Sequence, residues 1–399
     1  MASFFLCYWI YTVVSVLCLD RSIAYYRRSY AASSLRPVMG VIAILYFLDW
    51  ISGKEIWKKA EQISQKRYYG ILASVSIAAF IAQVSYQMTK KKTVGMGILA
   101  IGILLFDFSY RTFVPYTDNY SVLFLTLTLY VYFNQKFTPK WIMLGAASIA
   151  MGCFIKITSA ILLIAGIIVV FLYMLPEKKK FMKSSLLFVL VFVCVFGGMT
   201  VGCKRCLKNA GFVENTDTKW GLWHYFMMGQ NEETLGAGRK ADREYSSGFE
   251  TLEERNAANR AEGIKRIANR GIRNNILFYT YKNFQNYDDG CFAPVQKTIK
   301  GTKYGNSFIE RIFIKDKQYY YLYALLEQTL WLLVLALVLC GALLSVRQDR
   351  HILFLQMVIL GVSAYVLLFE GRAKYLFMFV PVYLLLAAVG LRYILHRDL

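Results

Sequence analysis

The chain has 399 residues, is 57% hydrophobic and carries a formal net charge of +21, with a mean hydropathy of +0.41. Its apolar residues fall in nearly charge-free blocks of about 15–24 residues, close to the ~20 that span a bilayer, which excludes a soluble domain. Much of the basic excess lies in short loops between those blocks, where it is a topology signal, so no nucleic-acid partner is expected.

Lipid leaves no water to satisfy backbone groups, so spanning segments are helices or closed barrels, and no alternating barrel-type strands occur here. The fold expected is all-α and polytopic. Clear apolar blocks run near 2–19, 70–88, 94–108, 121–133, 141–155, 157–175, 184–203, 322–346, 351–369 and 374–395, with a weaker one at 37–51. They give about 10–11 membrane helices, with one extracytoplasmic module inserted before the last three. Three regions follow: an N-terminal membrane part, 1–203, an outer loop module, 204–320, and a C-terminal membrane part, 321–399. Block 37–51 either spans or lies flat at the outer surface. Both readings give the same orientation from residue 70 onward.

Lys90 to Lys92, Lys136 and Lys140, Lys178 to Lys180 with Lys183, Arg347 and Arg350, and Arg392 and Arg397 fall in alternate loops. The positive-inside rule puts these clusters in the cytoplasm. The loops at 107–120, near 156 and at 370–374 then lie outside, as does 204–320. Within that module Thr251 and Glu254 read as a capping box that opens a helix. Ala257, Ala261, Ile264, Ala268 and Ile272 follow at helical spacing, a stripe expected to pack on the membrane part, with Gly271 near the helix end.

Three polar elements border apolar blocks on the outer face, where ionisable groups are costly and read as functional. Asp118 follows Tyr116 at the start of an apolar helix, either as an N-cap or as a working carboxylate. Lys156 splits about 35 apolar residues, either as a snorkelling lysine at a hairpin or as a phosphate-binding cation. Glu370, Arg372 and Lys374 lie between the last two helices. They are either a loop that merely anchors two helices or a phosphate site, in which Arg grips phosphate through paired hydrogen bonds, Lys adds a point charge and Glu370 orients Arg372. His224, read first as structural, and Asp242 are weaker candidates in the module, and Asp20 and Asp49 are others near the N-terminus. There is no P-loop, dinucleotide fingerprint, HExxH or GxSxG.

Three motifs in this order resemble the GT-C class of membrane glycosyltransferases, which includes protein O-mannosyltransferases and the aminoarabinose transferase acting on lipid A. They are Tyr116-Thr117-Asp118, Lys156-Ile157-Thr158, and the run from Glu370 through Arg372 and Lys374 to Tyr375. The stretch from His224 to Gly229, with Gly236, Gly238 and Asp242 after it, resembles the outer loop of the Gram-positive envelope branch. The resemblance covers residues 65–395. It implies a polyprenyl-phosphate sugar donor used on the extracytoplasmic face of the plasma membrane and inversion at the sugar carbon. The acceptor is then an envelope glycan, lipid or polymer. Asp20 and Asp118 are the implied catalytic carboxylates. Lys156, Glu370, Arg372 and Lys374 are the donor-phosphate group, and Tyr116, His224 and Asp242 the acceptor and loop residues. Magnesium or manganese is the metal the class sometimes uses. The interval after the first block is shorter than the class pattern, which bears on Asp20. Rival expectations are a flippase for a lipid-linked sugar and a non-catalytic relative in an envelope-synthesis complex.

Overall fold

Long apolar runs that break at charged or glycine-containing turns fold here as a helical bundle. The computed structural model describes residues 77, 79–105, 117–134, 138–173, 178–209, 217, 219–292, 311–312, 317–344 and 349–395. The expected segments 2–19 and 37–51, and the residues Asp20 and Tyr116, lie outside them.

Helix α1 covers 79–89 and turns at Lys90, whose φ of 56° marks a tight reversal. There follow α2 (Lys92–Leu104), α3 (Thr117–Phe133), α4 (Pro139–Ile155), a 3-10 turn at Ile157–Ser159, α5 (Ala160–Tyr173) and α6 (Lys178–Asn209). The module contributes α7 (Leu222–Gly229), α8 (Lys240–Ser247) and α9 (Leu252–Tyr287). The chain returns through α10 (Tyr320–Leu344), α11 (Arg350–Leu368), 3-10 turns at Ala373–Tyr375 and Phe377–Phe379, and α12 (Val380–Leu395).

The all-α membrane architecture matches the expectation, but the segments are of two lengths. Lys183–Arg205, Tyr320–Leu344, Arg350–Leu368 and Ala373–Leu395 are long and apolar enough to cross a membrane. Lys92–Leu104, Ser121–Phe133, Pro139–Ile155 and Ile157–Leu172 are apolar but shorter. At 1.5 Å per residue the shorter ones reach only about 20–26 Å of a ~30 Å hydrocarbon core.

Helix α12 is the centre: every residue from Val380 to Gly390 is buried. Small residues let α10 approach it. A Cβ at Gly341 would lie 2.5 Å from the Leu386 carbonyl, and one at Gly390 would strike the Leu337 carbonyl. Without a hydrophobic drive between helices in lipid, such close backbone packing supplies much of the adhesion. Around this core Trp331, Phe292 and Tyr383 meet edge to face, with ring centroids 5.0–5.2 Å apart.

The direction of the helices places the site. At one end of the bundle Tyr132 and Phe133, the last residues of α3, pack on His351 in the first turn of α11, at 5.1 and 5.2 Å. Lys140 and Arg350 are at that end, and the closeness of Gly97 to Leu391 brings the Lys92 end of α2 there too. The start of α3, the end of α4 and the end of α11 therefore meet at the opposite end.

Candidate functional site

Each charged side chain at that end is presented by a break in a helix. Asp118 sits in the first turn of α3, where exposed N–H groups favour a carboxylate. Lys156 adopts an extended backbone, φ −143° and ψ 110°, between α4 and the 3-10 turn. Its N–H still bonds the Gly152 carbonyl at 2.8 Å, so the helix is closed off just as the side chain leaves the bundle wall. The Thr158 and Ser159 hydroxyls lie 3.9 Å from the Met378 sulfur, which pins this turn to the start of the last membrane segment.

Lys156 forms an ion pair with Asp118 Oδ1. Asp118 is 1% exposed, and among the described residues its Oδ2 has no hydrogen-bond partner. A buried acceptor without a donor costs free energy unless a ligand or water supplies one. Tyr375 stands beside the pair, with its ring centroid 5.3 Å from Lys156 Nζ and 4.6 Å from Lys374 Nζ. Its hydroxyl donates to Glu370 Oε2, and Lys374 Nζ lies 3.5 Å from Glu370 Oε1. Burial pushes the Glu370 carboxyl up. Lys374, the Tyr375 hydroxyl and Arg372 together outweigh it and hold the group below its usual range. Arg372 is half-buried, and among the described residues it makes no hydrogen bond or ion pair.

The structure thus brings together Asp118, Lys156, Glu370, Arg372 and Lys374, which are up to 256 residues apart in the chain (374 minus 118). Two neighbours escape sequence reasoning. Tyr365 packs on Phe369 and on Tyr375, at 5.4 and 6.0 Å. Tyr225 lies in α7, which reaches this end through the Phe226 ring, 6.4 Å from Phe369, and burial, with Glu370 adding to it against Lys156, raises the Tyr225 hydroxyl's pKa. Tyr365 has no sequence signal beyond an aromatic near a motif, and Tyr225 lies within the His224 to Gly229 stretch without being singled out there.

The module is clamped behind Glu370. Gly371 N–H donates to the Gly236 carbonyl at 2.9 Å, and Gln230 Nε2 to the Leu368 carbonyl at 2.9 Å. Gly236 has φ 78°, open to glycine at little cost, and a Cβ there would lie 2.5 Å from Lys282 Cε. A Cβ at Gly238 would sit 3.3 Å from Glu370 Oε1. Lys282, fully buried, donates to the carbonyls of Gly229 at 2.6 Å and of Leu367 and Phe369 at 2.7 Å. One ammonium therefore caps the ends of both α7 and α11 and fixes the backbone just before Glu370.

His224 and Asp242 are engaged inside the module. His224 stacks on Trp220 at 4.5 Å, and its Nδ1 lies 2.6 Å from the Ser246 hydroxyl. Burial pulls its pKa down to about 4, against Asp242 and Glu370. Asp242 receives Arg266 on Oδ1 and Asn231 on Oδ2, both at 2.9 Å. These contacts tie α7, α8 and α9 together, so both residues shape the loop that carries Gly236 and Gly238.

The stripe expected on the module's long helix faces the other way. Ala257, Ala261, Ile264, Ala268 and Ile272 are all exposed, and Arg255, Asn259, Gly263 and Arg270 are buried instead. Arg255 is buried because it reaches four backbone carbonyls, those of Ser246, Asp217, Lys219 and Phe249. The capping box at Thr251 and Glu254 forms as expected. Gly271, expected near the helix end, is a kink with φ 68°, and the chain continues as helix to Tyr287.

Apolar helices around a buried central helix, with ion-paired side chains gathered where three of them end, define a polytopic α-helical membrane protein. Residues 68–393 match the profile of a family described as "conserved hypothetical integral membrane protein", and the chain belongs to that family. No curated protein and no solved structure matches it.

Proposed function

We propose that this protein is a membrane glycosyltransferase that moves a sugar from a polyprenyl-phosphate donor to a hydroxyl of an envelope glycan, lipid or polymer, on the extracytoplasmic face of the plasma membrane. The observation that carries the reading is the ion pair of Lys156 with a buried carboxylate, Asp118, that has one oxygen unpartnered among the described residues, joined through Tyr375 to Lys374 and Glu370, with Arg372 beside that second pair. Three cations of this kind suit a phosphate, and Arg372, engaged with no described partner, can offer it two parallel hydrogen bonds. The acceptor oxygen attacks the anomeric carbon, and the bond from that carbon to the phosphate oxygen breaks. The electron pair leaves on the polyprenyl phosphate, held by the three cations. The hydroxyl proton passes to Asp118, the candidate base. Glu370 is held by Lys374 and Tyr375 and orients the cations.

The donor set at this end, among the described residues, does not fit a resident magnesium or manganese ion. Among the described residues no three His, Cys, Asp or Glu side chains converge, and the carboxylates at this end are each held by a lysine. No step is routed through a metal.

The test is sugar transfer by membranes containing the protein, given a panel of radiolabelled polyprenyl-phosphate sugars with and without divalent cation. Wild type is compared with Asp118→Asn and Arg372→Ala at matched protein level. Loss of transfer in both variants is the expected result. Absence of transfer from every donor by wild type would turn the reading toward a flippase or a non-catalytic partner of envelope synthesis.

A further inference from the structure

We infer that the last turns of α9, residues 282–287, dip back into the lipid, and that the outer face of 272–284 is covered by bilayer lipid, acyl chains at its deep end and headgroup phosphates toward the kink at Gly271. This inference rests on the module's geometry and is independent of the proposed activity.

The segment has inverted amphipathicity. Its inward face carries Phe278, Lys282, Asn286 and the Asn275 amide, with Lys282 and Asn286 fully buried, and Thr280 and Asn283 are polar residues interleaved on the outward face. Its outward face carries Ile272, 85% exposed, Ile276, 63%, and Phe284, 66%, with Leu277 and Tyr281 also exposed. Spaced four, five, nine and twelve residues beyond Ile272, these side chains form one broad helical face. A helix bathed in water would place its lysine outward and its isoleucines inward. A helix between the bundle and lipid does the reverse.

The contacts of the inward face give its depth. Tyr279 bonds Gln230, still in the module. Lys282 then reaches the Phe369 and Leu367 carbonyls. Asn286 reaches Val366 at 3.4 Å, and Tyr287 reaches the Ser363 and Tyr383 hydroxyls at 2.8 Å. The chain thus descends antiparallel to the last two turns of a membrane-length helix. Beyond it Gly290 N–H donates to Gln328 at 2.7 Å, and Phe292 packs on Trp331 at 5.0 Å. Gln328 is eight residues into α10, roughly 12 Å along the helix axis at 1.5 Å per residue.

The occupant follows from continuity. Leu360 and Leu368 of α11 and Leu322, Leu325 and Leu326 of α10 are also exposed, and both helices are of membrane-spanning length. Phe284 lies beside Leu368 in that lipid, and Ile276 and Ile272, roughly 9 and 15 Å beyond the level of Lys282 at 1.5 Å per residue, lie toward its headgroup region. Exposed Arg273 stands one residue after Ile272, near the kink, where it matches a lipid phosphate. The irregular backbone at 288–292 is tolerated at this depth because it packs on α10 and the last membrane segment.

The experiment uses the full-length chain in vesicles of radiolabelled phosphatidylethanolamine and phosphatidylglycerol containing no polyprenyl lipid. p-Benzoylphenylalanine is placed at position 276, 284 or 253, the last in the exposed first turn of the same helix. On illumination, lipid adducts are expected at 276 and 284, several-fold above 253. A protein–protein adduct between two copies from 276 or 284, in place of lipid, would overturn the inference in favour of a self-interface. Lipid labelling at 276 and 284 no higher than at 253 would place the face in water and overturn it as well. Because no sugar donor is present, neither result depends on whether the protein is a transferase.

Discussion

Removing Lys156 deprives a carboxylate that is 1% exposed of the ammonium that pairs with it. Breaking such a buried pair from one side costs about 3–5 kcal/mol, because the remaining charge stays desolvated. Lys156→Met is therefore expected to lower the midpoint of thermal unfolding in detergent, read by a thiol-reactive dye as the buried cysteines become accessible. Lys156→Met combined with Asp118→Asn removes both charges and is expected to recover most of that loss. The double variant stays inactive in sugar transfer if Asp118 is the base and Lys156 a phosphate ligand. Recovery of both stability and transfer would make the pair structural. At this scale much was legible, because a lone Asp or Lys interrupting an apolar run is conspicuous whatever the fold. Hidden was the pairing, since nothing in 37 intervening residues says that the start of α3 and the end of α4 share a level.

At the scale of elements the local signals held and the tertiary ones did not. The capping box at Thr251 is a short-range hydrogen-bond pattern and forms where the residues predict it. The stripe from Ala257 to Ile272 is equally real as a periodicity, but periodicity does not say whether water, lipid or protein lies opposite. Arg255 and Arg270 win the buried face because each finds backbone carbonyls there, which the alanines cannot use. Lys282 was overlooked for the same reason: a lysine in a helix is expected in solvent. Its three carbonyl bonds join α7, α9 and α11. Lys282→Met keeps the stem and removes the donors. Each forfeited bond to a charged group is worth about 1.5–3 kcal/mol, so a loss of several kcal/mol is expected. Limited proteolysis is the sharper readout, since cleavage in the α7–α8 loop should quicken while the bundle persists. Unchanged protection of that loop would show that the lysine does not hold the module down.

Over the whole molecule, short-loop basic residues mark one end of the bundle and the ion-paired cluster of carboxylates and cations the other. Lys91, Lys92, Lys140 and Arg350 lie where α2, α4 and α11 begin. Asp118, Lys156 and Glu370 lie where α3 begins and α4 and α11 end. Sequence alone gave this alternation, because short-loop charge is read by the insertion machinery one loop at a time. The packing of Tyr132 and Phe133 on His351 gives it a second, independent support in three dimensions. The orientation in the cell then predicts a labelling pattern. In intact cells a membrane-impermeant maleimide is expected to modify Glu253→Cys above the background of the eight native cysteines. It should leave Lys91→Cys and Lys140→Cys unmodified until the membrane is opened. All three positions are exposed, so burial cannot imitate the result. The reverse pattern would put the Asp118 end in the cytoplasm, where a nucleotide-linked donor is at hand and a lipid-linked one is not required. It would remove the reason for choosing a polyprenyl-phosphate sugar even if the phosphate-binding geometry were correct.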